Sequence, residues 1–201
     1  MRIRAWMLLA PVLFSSLTLL SAEEPPNPSP GRTVGRVYGK EVTAADIGLS
    51  VPIDPAIPFE AHDAAQWELL KRIMTTFGGP VVERFVKQEK IAATRDEIKK
   101  FQSYFRKRSD RNADVPEEMA QKLIVAWKTE HELHRVYGGR VIFQQAGPEA
   151  LDARRKLFEQ AEEKGDIRFA DAGVRHLFYY YANMSHTFID EKALERPWWF
   201  Q

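Results

Sequence analysis

The sequence predicts a mainly α chain with a small β-hairpin near its start and a mostly helical C-terminal extension. Three observations carry this. Val82, Phe85, Val86 and Glu89 keep the three-and-four spacing of one helical stripe, and Ile98, Phe101, Tyr104 and Phe105 repeat it. Between the two stripes, Thr94 stands as an N-cap with Glu97 three residues on, the pattern in which each side chain bonds the other's backbone N–H. A third helical run begins at Pro116 and ends near Tyr137, before Gly138-Gly139.

Taken in order, the chain opens as an export signal. Arg2 and Arg4 make a positive start, and Ala5 to Leu20 is an apolar run broken by Pro11, Ser15, Ser16 and Thr18. Ser21-Ala22 supplies small residues for cleavage before Glu23. The run is short for a membrane span, which needs about 20 apolar residues. Leu20 suits the cleavage site poorly, so an uncleaved inner-membrane anchor stands as the alternative to release. No cysteine follows, which excludes lipobox attachment and, for an exported chain, a disulfide framework; the fold has to be held by its core.

Of 29 Lys and Arg, Arg2 and Arg4 precede residue 23, so 27 remain against 28 acidic residues. That balance argues against a nucleic-acid partner, which calls for a basic face. Residues 23–32 form a Pro-rich linker, with four prolines in Glu23–Gly31.

Strands are expected at Val34–Val37 and around Val42, joined by a Tyr38-Gly39-Lys40 turn in which Gly39 takes a positive φ. Thr43 is placed as the N-cap of a short helix through Ile47, with Asp46 in its first turn. Pro52, Pro55 and Pro58 make Leu49–Phe59 an irregular loop. A helix follows from about Ala61 to Phe77, with Trp67, Leu70, Met74 and Phe77 on one stripe, and Gly78-Gly79-Pro80 is read as its stop. Arg106–Asn112 is a solvated charged loop. The helix from Pro116 carries Met119, Leu123, Ile124 and Trp127 as apolar positions.

His131 and His134, three apart on that helix, share a face, and Glu130 beside them offers an oxygen. The spacing is not that of H-E-x-x-H, and His62, His176 and His186 show no partner spacing, so the pair reads as half-buried imidazoles and no metal is assigned. Beyond Gly139, Arg140–Gln144 reads as a strand and Pro148–Lys164 as a helix with Leu151, Leu157, Phe158 and Ala161 inward, closed by Gly165. Val174–Tyr181 fits either a strand or a helix. Trp198, Trp199 and Phe200 either dock onto the domain or meet a partner or membrane interface.

Helix, isolated Ile91 and Thr94-capped helix through Ile98, following the Val34, Val37, Gly39, Val42, Thr43 and Asp46 pattern, resemble the N-terminal domain of SurA-type periplasmic foldases and their PrsA-like relatives. The resemblance covers about 33–137, which sets the divisions at 33–137 for a SurA-N-like helical domain and 138–201 for a helical C-terminal region. Two departures stand against the family pattern. The Pro-rich loop at 49–59 separates elements that relatives join directly. The segment from Arg140 through Gly165, Asp166, Phe169 and Ala170 is similar to the opening of a parvulin-type prolyl isomerase, but only about 60 residues remain where roughly 90 are needed, so at most a degenerate remnant is expected.

The resemblance implies an exported, chaperone-like protein of a Gram-negative periplasm. The same resemblance implies binding of unfolded or nascent envelope polypeptides, or of one envelope partner, without catalysis or cofactor. Trp67, Phe77, Phe85, Phe101, Tyr104, Phe105 and Trp127 are the candidate contact residues. An adaptor for one folded envelope partner is the alternative, and prolyl isomerisation a third. Other catalytic arrangements are missing from the sequence: there is no Cys nucleophile, no G-x-S-x-G, no Gly-rich phosphate loop and no distinctively spaced carboxylate pair.

Overall fold

A computed structural model describes residues 29–56, 63–108, 115–144, 147–183 and 191–200. The expected signal, most of the linker, the end of the 49–59 loop, residues 109–112, His62 and His186 lie outside the described residues. The chain is mainly helical, with a small antiparallel hairpin set in a small sheet.

Strands β1 (Thr33–Val37) and β2 (Lys40–Thr43) pair antiparallel, with Val37 opposite Lys40. Tyr38 and Gly39 both take positive φ, 48° and 79°, as a two-residue turn of matching twist requires. Val34, Val37 and Val42 face inward and are buried. Thr43 and Asp46 bond reciprocally: Thr43 N–H and Oγ1–H donate to Asp46 Oδ2 at 2.8 Å, and Asp46 N–H donates to Thr43 Oγ1 at 3.3 Å. The expected helix does not follow. The chain makes only turns through Gly48 (φ 66°), because Leu49 N–H returns to Ala44 O and closes the segment on itself.

Helix α1 (Ala64–Ile73) is capped by Asp63, whose Oδ1 accepts from Ala65 N–H at 2.8 Å. It does not stop at Gly78-Gly79-Pro80. A π turn, Met74–Gly78, carries it into α2 (Gly79–Gln88). In a regular helix the Pro80 ring meets the carbonyl four residues back, and Pro80 gives that carbonyl no N–H. The wider turn relieves this, with Gly79 N–H bonding Met74 O and Thr75 O. Gly78 serves close packing rather than termination: a Cβ there comes within 2.9 Å of the Phe158 ring.

Helix α3 (Arg95–Arg108) begins with the predicted capping box: Thr94 N–H donates to Glu97 Oε2 at 2.7 Å and Glu97 N–H to Thr94 Oγ1 at 3.2 Å. Lys128 of the next helix donates to Ala92 O (2.7 Å) and Glu97 Oε1 (3.1 Å), tying the box to its neighbour. Thr94→Ala is expected to lower stability by about 1 kcal/mol, read as an earlier urea midpoint with unchanged m-value.

Helix α4 (Glu117–Tyr137) ends at Gly138, φ 63°, as its sequence predicts. Met119 departs from the reading: it is 53% exposed, and Ala120, Ile124 and Leu133 are the buried apolar positions. Strands β3 (Ile142–Gln144) and β4 (Gly147–Glu149) make a second hairpin, so Pro148 lies in a strand and α5 starts only at Leu151, running to Glu163. Its inward Leu151, Leu157, Phe158 and Ala161 are buried as expected. Strand β5 (Ile167–Phe169) returns to pair antiparallel with β1, giving the order β2-β1-β5. Val174–Tyr181, left open by periodicity, lies within helix α6 (Ala172–Asn183).

One core runs across residue 137. It joins the sheet to α1, α2, the C-terminal half of α4, α5 and α6, and contains Val34, Phe77, Leu133, Phe158, Ile167 and Phe178. A second, smaller core lies between α3 and the N-terminal half of α4, around Ile98, Phe101, Ala120, Ile124 and Trp199. Helix α4 is therefore the shared wall. It spans 21 residues, about 30 Å of helix, with its N-terminal half in one core and its C-terminal half in the other.

Candidate functional site

The two outer faces of α2 and α4 leave a groove of about 620 Å³ between them. Val82 and Val86 come from α2, one helical turn apart, and Val125 and Ala126 from α4. All four are half-buried or exposed, since Val81 and Phe85 already fill the inward positions of α2. Both signs of charge stand along the edge, with Glu83, Lys87, Glu118 and Lys122; Lys122 pairs Glu118 at 2.7 Å. Met119 lies three and seven residues before Lys122 and Ala126, so its exposed side chain continues the same stripe of α4.

Glu130, Thr129 and Arg154 close the groove. Glu130, which the sequence reading offered as an oxygen near the histidines, turns instead toward α5. It is 6% exposed, accepts from Ala150 N–H at 2.9 Å at the head of α5, and pairs with the Arg154 guanidinium. Arg154 also stands 3.4 Å from Glu149 Oε1, and its covered Nε has no hydrogen-bond partner. Burial pushes the Glu130 carboxyl above its ordinary range, against the pull of the Arg154 charge. The pair ties α4 to α5 at the end of the groove.

On the far face of α4, His131 and His134 line an open cavity of about 810 Å³ with the charged Arg140, Asp152, Lys192 and Glu195. The Arg140–Asp152 pair (2.6 Å) holds the Asp152 carboxyl below the usual carboxylate range. His131 stacks on Trp127, centroids 5.3 Å apart and planes at 22°. Among the described residues no group of three His, Cys, Asp or Glu stands together as a metal site, and no helix is long and apolar enough to cross a membrane.

The seven sequence-predicted contact residues are not gathered into one open surface. Phe77 and Phe101 are fully buried and Phe85 is 5% exposed. Trp67 is half-buried against the main core. Tyr104, Phe105 and Trp127 are half-buried around the second core. Among the described residues the exposed large apolar side chains are Val51, Met119, Val136 and Phe143, none of them among these seven. Val82 and Val86 were visible as part of the α2 stripe, but spacing alone does not say which members of a broad stripe face a neighbour. Val125 and Ala126 carried no signal of their own.

Comparison of the chain with protein-family models, with curated proteins and with solved structures gives no match in any of the three.

Proposed function

We propose that this protein is an exported, non-catalytic polypeptide-binding protein of the chaperone type, and that the α2–α4 groove holds short apolar segments of unfolded clients. The observation that carries the reading is the groove itself: an open aliphatic trough bordered by charges of both signs. Small aliphatic walls bury a client side chain without demanding one shape. Exposed Met119 adds an adaptable, unbranched contact at one end. Mixed border charge selects neither acidic nor basic segments, which suits many clients more than one. The SurA-like pattern of hairpin and Thr94-capped helix agrees with this reading.

The test is aggregation suppression, with residues 23–201 and two unrelated unfolded substrates over substoichiometric to excess ratios. Suppression of both is expected. Suppression of neither, by a chain with full helical circular dichroism, replaces the chaperone reading with that of an adaptor for one folded partner.

A further inference from the structure

The second core is completed by a segment distant in sequence. Residues Trp198–Phe200 form a single 3-10 turn, closed by Phe200 N–H on Pro197 O at 2.9 Å and by the Arg196 guanidinium on Phe200 O. The turn inserts Trp199 between the two helices of the α3–α4 hairpin. Its ring meets Phe101 edge-on at 5.2 Å and 66°, and Trp127 at 5.7 Å and 78°. Trp199 is 4% exposed. Lys100 Nζ lies 5.3 Å over the Phe200 ring.

Around that seat stand Phe101, Tyr104, Phe105 and Trp127, four of the aromatic residues that the sequence marked for polypeptide contact. Without Trp199, Phe101 and Trp127 border an open notch whose floor is Ala120 and Ile124. The contacts seen here are ring against ring and cation over ring, geometries that an aromatic side chain on any chain can satisfy.

We infer that the α3–α4 notch is a second polypeptide-binding seat, specific for exposed Trp or Phe side chains, and that residues 196–200 occupy it in cis. The occupant is an aromatic-bearing segment of an unfolded client, for which Trp199 is the internal stand-in. Seating a client segment requires release of the turn, so the apparent affinity is reduced by the fraction of chains whose notch is open. The inference rests on the polypeptide-binding reading but not on the α2–α4 groove.

Anisotropy titration of a fluorescein-labelled peptide of sequence ERPWWF tests it, on the wild-type chain and on Trp199→Ala. The variant is expected to bind about ten- to a hundredfold tighter than wild type, keep the wild-type mass by light scattering, and ignore the same peptide with both Trp and the Phe changed to Ala. If W199A loses helical circular dichroism, Trp199→Leu carries the comparison, with a smaller gain in the same direction. Equal binding by wild type and a folded variant overturns the proposal. So does dimerisation of the variant, which assigns the notch to a second copy's segment. The titration and the aggregation assay fail independently. A chain that suppresses aggregation yet ignores the peptide loses only the notch, and one that binds the peptide without suppressing aggregation keeps the notch as an aromatic seat but loses the chaperone reading and, with it, an unfolded client as the occupant.

Discussion

Phe77→Ala is expected to destabilise the chain by about 3–5 kcal/mol, a large share of the roughly 5–15 kcal/mol that holds a domain of this kind folded. Phe77 stands in the π turn with its ring fully buried. The ring packs 4.8 Å from Phe169 of β5 and 6.3 Å edge-on from Phe178 of α6. Its Cε1 and Cζ atoms meet Gly35 of β1, where a Cβ falls 2.7 Å from the ring and 2.5 Å from Arg168 O. Truncation opens a cavity where two strands and two helices meet, and the surrounding backbone is paired and has little room to collapse. Urea unfolding followed at 222 nm checks this. A midpoint within error of wild type contradicts the packing described.

Glu130→Ala is the second large effect, of about 3–5 kcal/mol. It removes the acceptor for Ala150 N–H and the main partner of Arg154, leaving Glu149 at 3.4 Å as the remaining counter-charge. A largely covered guanidinium left with Glu149 alone costs far more than an exposed ion pair contributes. The double variant Glu130→Ala/Arg154→Met is expected to recover part of the loss, since it removes the stranded charge and keeps the volume. The double-mutant cycle reads that coupling directly. Additive losses contradict the pairing.

Local chemistry made the capping box at Thr94–Glu97, the glycine end of α4, the β1–β2 turn and the inward face of α5 legible from sequence. Each depends on residues within a few positions of one another. What stayed hidden is non-local. Gly78-Gly79-Pro80 carries every mark of a helix stop. Its role follows from Phe158, which needs the missing Cβ, and from the π turn that accommodates Pro80. Strand β5 is three residues long, and nothing near Ile167 announces a pairing partner 130 residues earlier. Thr43–Asp46 makes its cap bonds yet starts no helix, because the turn closes on Ala44 first. The aromatic residues named for client contact were the right kind of side chain for a core as well as for a surface. In Phe77 and Phe85 the core reading won. At Phe101 and Trp127 the two readings meet, since their neighbour is the Trp199 turn.

The central claim is that aliphatic surface between α2 and α4 holds unfolded polypeptide, and comparison of Val86→Asp with Val51→Asp in the aggregation assay tests it most directly. Val86 is half-buried in the groove wall, whereas Val51 is 59% exposed and lies outside the groove lining. The account predicts that V86D, still helical, needs about tenfold more protein for half-suppression, the equivalent of one lost apolar contact, while V51D matches wild type. Equal suppression by all three chains contradicts it.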